Sequence, residues 1–286
     1  MTISLHTEKP ARRGLAALPL GARILIGSVI MAASLFQARH GILELFPSLG
    51  ADAGVTAAAR QATSAASRFI ALTTEVYRTG DPPRETDAAA GPLLDAVFDA
   101  TVLKTKARFA KADLGALADW GSAMFRVGYV YILAGTGVAD LANVPDDPKV
   151  LAQAQRNVAA YAPEIGRFLD AELAAYGAMA KLVKTDFGGR DVENDPKLRD
   201  AKATFNLGIV AAIAIALESY LTPGISDDWR RSRLPVLATA AYQAVGLLTA
   251  EQCGALRDIA RAVTAEMGDA VVKGGLDAIT ATLKCG

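Results

Sequence analysis

From Val55 onward, apolar residues recur three and four positions apart, and this period constrains the fold more than any other feature of the chain. Val55, Ala59, Ala62, Phe69, Leu72, Val76 and Tyr77 fall along one stripe of a helix, because a turn takes 3.6 residues. The stripe stops at RTGDPP, where Gly80, Pro82 and Pro83 end helical hydrogen bonding. A second helix is expected from GPLL, with Pro92 in its first turn and Leu94, Val97, Phe98, Val102 and Phe109 on its apolar side. A third carries Leu114, Leu117, Met124, Val127 and Tyr131 as far as AGTG. No stretch shows a convincing strand pattern.

Downstream of Pro148 the same phase runs through Val158, Tyr161, Ile165, Phe168, Leu169, Tyr176, Met179 and Val183, to about Phe187. The phase survives Pro163, which predicts one long helix kinked at that proline. Asp147 before Pro148 and Asp195 before Pro196 are natural N-caps. FNLGIVAAIAIAL, residues 205–217, is apolar on every side and is therefore expected at the centre of a helical assembly. A helix after TPGISDD carries Leu234, Val236, Leu237, Ala241 and Leu248, and TAEQ at 249–252 has the form of a capping box. The expectation is an all-α protein: a bundle of about eight helices forming one domain over residues 54–286, behind an N-terminal apolar, membrane-proximal segment at residues 1–50.

That N-terminal segment is read as an address. Residues 24–38 hold no charge and follow Arg12, Arg13 and Arg23, the order of a basic flank and an apolar run found in signal peptides and in anchors that leave the following chain outside the cytoplasm. Phe36 spoils the nearest small-x-small cleavage site, and the ADA at 51–53 lies beyond Arg39, His40 and Glu44. Counted from Leu18, with Arg23 snorkelling, the run reaches roughly the 20 residues that cross a bilayer. Residues 18–38 are therefore read as a retained signal-anchor. The chain it leads would sit on the extracytoplasmic face of an inner membrane, in the periplasm where there is one; a core helix of a cytoplasmic protein is the alternative. The two other apolar runs, 205–217 and LPVLATAAYQAVGLLTA, are each bounded by charge below about 18 residues, which favours a soluble bundle over several spans.

The two cysteines point to the same compartment. Cys253 and Cys285 lie almost equally far from the break at MGDA, so two antiparallel helices, 250–267 and 269–284, would bring them together at the mouth of a hairpin as a disulfide. Such a staple on a loop of this size is worth roughly 3–4 kcal/mol in the chain-entropy account.

Composition removes several classes of function. Thirty basic residues balance 30 acidic ones, so no global field gathers nucleic acid. The two histidines, His6 and His40, both precede the helical body, which leaves Ser-His-Asp and Cys-His catalysis and the usual zinc and di-iron ligand sets without an imidazole. GxGxxG, GxxxxGK[ST] and CxxC are absent, so no cofactor, metal or catalytic residue is assigned. Asp191, Glu193 and Asp195 have calcium-like alternation, but Pro196 stands where the loop glycine belongs and Lys202 where the bidentate acid belongs, so the segment is read as a solvated connector.

Two sets of residues are left as candidate contacts. Glu218 ends an apolar helix and, with Tyr129 and Tyr131, could orient an apolar ligand; the bland reading turns it to solvent or pairs it with Arg230 or Arg233. Trp229, Arg230, Arg231 and Arg233 of DDWRRSR place an aromatic among three cations, a candidate partner surface. The leading reading is a membrane-anchored extracytoplasmic helical protein that acts by binding a partner, as an accessory or interaction subunit, and is not an enzyme. One alternative is a helical binder of a lipid- or isoprenoid-like molecule in the bundle core. The other is a cytosolic all-α protein with carboxylate-based catalysis.

Overall fold

The computed structural model of the protein describes residues 53–99, 111–139, 147–187 and 194–284. The segment read as an anchor, Val102, Phe109, Asp191, Glu193 and Cys285 lie outside the described residues. Within them every regular element is a helix: α1 (Ala53–Leu72), the single turn α2 (Val76–Thr79), α3 (Gly91–Phe98), α4 (Lys111–Ile132), α5 (Pro148–Ala160), α6 (Ala162–Phe187), α7 (Pro196–Ser219), α8 (Asp227–Ala244), α9 (Ala250–Glu266) and α10 (Ala270–Thr282). The all-α class holds, with ten helical segments among the described residues where about eight were expected.

Both extra segments arise from local chemistry. After Leu72 the hydroxyls of Thr73 and Thr74 donate to the Ile70 and Ala71 carbonyls (3.1 Å each), which competes with the regular helical bonds and splits α2 from α1. Gly80 then ends α2 at φ +79°, with its N–H on the Val76 carbonyl, and its backbone meets that of Gly135.

The single kinked helix expected after Pro148 is instead two helices. Pro163 has no N–H and its ring crowds the carbonyl four residues back, so the chain leaves helical geometry at Tyr161 (φ −118°, ψ 33°). Arg84 covers the break: its guanidinium donates to the Ala160 carbonyl (2.8 Å) and lies 4.3 Å from the Tyr161 ring centroid.

Caps fix the other boundaries. Asp147 accepts from the Lys149 N–H (2.8 Å), Ser226 from the Trp229 N–H (3.2 Å), and Thr249 and Gln252 form the full capping box. Asp269 accepts from the Val272 N–H (2.9 Å) and starts α10 three residues after α9 ends, so the two form the expected antiparallel hairpin.

The centre of the assembly differs from the expectation. It is α6 that packs on α3, α4, α5, α7 and α8, while α7, which holds 205–217, packs on α6, α8 and α9. Leu207 is 56% exposed and Ala203 is exposed beside it, so α7 presents one side to solvent. Alanine tolerates either environment, and a helix rich in it looks apolar all round without being buried all round. Within α7, Lys202–Ser219 is long and apolar enough to cross a membrane, the one such stretch among the described residues, and most of it is buried in the bundle.

Candidate functional site

Three places gather unusual chemistry. The first is a half-open groove of about 730 Å3 between α1 and α3. Gln61, Ala65, Arg68 and Leu72 form one wall; Ala89, Leu93 and Ala96 form much of the other. The spacing 61, 65, 68, 72 is one helical face, and alanines (Ala65, Ala71, Ala88, Ala89, Ala96) make up much of the rest of the lining. Leu72 is 54% exposed at its end. Arg68 on its rim and the exposed Arg60 two turns earlier make no ion pair among the described residues.

The second lies along α6. Phe168, Glu172 and Tyr176, four residues apart, share a face between α4 and α7. Phe168 packs edge-on to Phe125 (5.5 Å between centroids), lies 6.4 Å from Tyr129, and fills the space that a side chain at Gly128 would need. Tyr176 lies against Phe205 of α7 (5.9 Å) and against the backbone of Gly208, where a Cβ would come within 2.6 Å of the phenol oxygen. Glu172 stands between them, fully buried, and its Oε1 has no hydrogen-bond partner; neither has the Tyr176 hydroxyl. Burial pushes the Glu172 carboxyl well above the usual carboxylate range, and it pushes the Tyr176 phenol up, with Glu172 and Tyr129 adding to the rise. Burial without a partner favours the protonated form of such a carboxyl. No second carboxylate among the described residues faces it, so the acid pair that carboxylate-based hydrolysis needs is not assembled here.

The third is the DDWRRSR segment at the start of α8, where each cation is paired within the molecule. Arg230 bonds Asp227 (2.7 Å) and the Tyr220 carbonyl (2.9 Å). Arg231 bridges Asp228 and Asp269, tying α8 to the start of α10. Arg233 is buried, ion-paired with Asp170 of α6 (2.6 Å), and lies 4.5 Å from the Trp229 ring, while the Trp229 indole N–H donates to the Ala162 carbonyl (3.0 Å). Trp229 and Arg233 occupy the space over Gly166, so the glycine lets α8 sit directly on α6. Burial raises the Asp170 carboxyl and lowers the Arg233 guanidinium, while each opposes the other's shift.

The residues singled out as ligand contacts lie apart. Tyr129 joins the Phe125–Phe168 rings, whereas Tyr131 lies tilted against Phe69 and Tyr161 and donates its hydroxyl to the Pro83 carbonyl (2.8 Å). Glu218 is buried in the last turn of α7, while Arg230 and Arg233, named as its possible partners, are paired with Asp227 and Asp170. No protein family, curated protein or solved structure matches the chain.

Sequence reasoning passed over Glu172 and the groove. The signal for Glu172 is positional: the apolar series of α6 steps from Phe168 to Tyr176, and the core position between them is an acid. The groove has a weaker one, a run of alanines within α1 and another, Ala88 to Ala90, just before α3.

Proposed function

We propose that this protein is a non-enzymatic docking protein, held at the extracytoplasmic face of a membrane by residues 18–38, whose groove between α1 and α3 receives an apolar helix of a partner protein. The groove carries the reading. A cavity for a small molecule typically encloses most of its ligand's surface, and a half-open trough does not. A trough with alanines along both sides suits a helix instead, because small side chains let two helix axes approach to the close end of the usual 8–10 Å spacing. Arg60 and Arg68, unengaged along the same helix, favour a partner segment that carries acidic residues beside its apolar stripe.

Export is supported from the other end of the chain. Cys253 is fully buried in the first turn of α9 and is not a free thiol, and α10 returns antiparallel to end beside that turn. The reading takes Cys253 and Cys285 as a disulfide closing the hairpin.

A photo-crosslinking amino acid at Ala89, in the groove, is the test in native membranes, with the same probe at exposed Ala265 on α9 as control. The expected result is one protein adduct from position 89 whose crosslinked peptide is an apolar, acid-bearing helix, absent from position 265 and abolished by Ala96→Trp. No adduct from position 89, or adducts equal at the two positions, overturns the docking reading, and a lipid adduct alone moves it to a binder of apolar small molecules.

A further inference from the structure

The face of α6 between α4 and α7 packs on both helices, but α4 is held also by α1, α3 and α5, whereas α7 presents its outer side to solvent at Ala203 and Leu207. On the α4 side Phe168 is wedged over Gly128 between Phe125 and Tyr129. On the α7 side the Tyr176 ring lies against Phe205 (5.9 Å) and its hydroxyl against the backbone of Gly208. Glu172 sits between these contacts at a position that an apolar residue would ordinarily fill.

Charge on Glu172 would find no counter-ion. On α6 itself, Glu164 faces Arg84, Arg167 pairs with Asp95 of α3 and with Glu85, and Asp170 pairs with Arg233 of α8. The half-buried Lys184 lies three turns on, by Gly246. From α4, Asp119 and Arg126 are exposed, and from α5 Asn157 donates to the Ile132 and Ala134 carbonyls. On α7, Glu218 stands at the far end, and Arg199 and Asp200 are exposed at the near end. Tyr176 and Tyr129 are the titratable groups close to the carboxyl.

We propose that the α6–α7 seam is a proton-gated joint: α7 stays docked while the Glu172 carboxyl is protonated, and loss of that proton to water parts α7 from α6. The O–H bond of the carboxyl is the one that breaks. The carboxylate left behind needs water, and of the two helices on this face α7 is the one whose outer side already meets it. Parting the seam exposes the apolar inner face of α7, with Ile209 and Ile213 on it.

The test is amide hydrogen exchange of the full chain from pH 5 to 9, corrected for the intrinsic rate, in the wild type and in Glu172→Gln. The open form has an ordinary carboxyl and the closed form a raised one, so the opening constant rises tenfold per pH unit from the ordinary carboxylate range up to the buried value, then levels. The expected result is that slope in the amides of α7, a flat profile in α1 and α10, and a flat profile everywhere in Glu172→Gln. A flat α7 in the wild type, a slope that survives in Glu172→Gln, or α1 and α10 rising together with α7 overturns the joint. Because the wild-type comparison of α7 with α1 and α10 decides alone, the proposal stays testable even where the variant does not fold.

Discussion

On the α1–α5 side of α6 the core is filled by rings: Phe69, Phe98, Trp120, Phe125, Tyr129, Tyr131 and Tyr161 are all buried there, and Phe168 of α6 reaches into the same layer. On the α8–α10 side the buried apolar residues of the helices are Leu237, Ala240, Ala241, Ala244, Cys253, Leu256, Ala260, Val263, Val272, Leu276 and Ile279, and the one ring beyond Trp229, Tyr242, is 67% exposed. Both sides reach near-complete burial by different routes. On the first side large rings take up the volume between α4 and α6, as where Phe168 lies over Gly128. Small side chains on the other fill the space between helices by drawing the backbones together, as where a Cβ at Gly177 of α6 would lie 3.6 Å from the Ala240 Cα of α8. The first route depends on volume at a few positions, and the second on the absence of volume at many, with caps and ion pairs holding the helix ends.

Truncation therefore acts hardest on the first side. Phe168→Ala removes a ring that touches Phe98, Phe125 and Tyr129 at once, and the space over Gly128 has no backbone that relaxes into it. Urea unfolding is expected to show a loss of about 3–5 kcal/mol. A loss below about 1 kcal/mol would mean that the ring layer collapses around the hole, and the contrast between the sides would fail.

Enlargement is the converse perturbation. Ala240→Leu forces a longer side chain between α8 and α6 where the backbones already touch, with an expected loss of about 1–3 kcal/mol in the same assay. Its neutrality would reveal unfilled space on the side described as closely packed. The comparison is sharpest when both variants are measured together, since a single side tolerant of both changes would not be packed by either rule.

How much of this was legible in the sequence follows the range of the interactions. The caps at Asp147 and Thr249 and the turn between α9 and α10 were readable, because each is decided within about four residues. The break at Tyr161 was not, although Pro163 was visible. Phase continuity across a proline does not report whether a distant side chain, here Arg84, arrives to satisfy the Ala160 carbonyl. The central role of α6 was hidden for a related reason: hydrophobicity ranks 205–217 above it, but alanine contributes to that ranking wherever it points. In DDWRRSR the local aspartates were visible as partners of its cations, but Asp170 and Asp269, which hold two of its arginines, are remote in sequence and were not. Glu172 was marked by its phase, yet only the fold shows that nothing pairs with it.

The smallest expected effect tests whether helix ends hold the α8–α10 side. Asp269 caps α10 through the Val272 N–H and bridges to Arg231 of α8, and these bonds, the Arg231 one foremost, push its carboxyl down to about 2 from an ordinary 3.8. A depressed carboxyl contributes stability that is complete above the unfolded value and is lost as pH falls through the folded one. The melting temperature of the wild type should thus decline between about pH 4 and 2 by slightly more than that of Asp269→Asn, which keeps an acceptor for the cap but no charge for Arg231. Other carboxylates titrate over the same range, so the difference between the two profiles, rather than either slope, is the readout. Coincident profiles would show that the bridge adds nothing in solution, and α10 would then be held to α8 by side-chain packing such as that of Leu234 over Gly275.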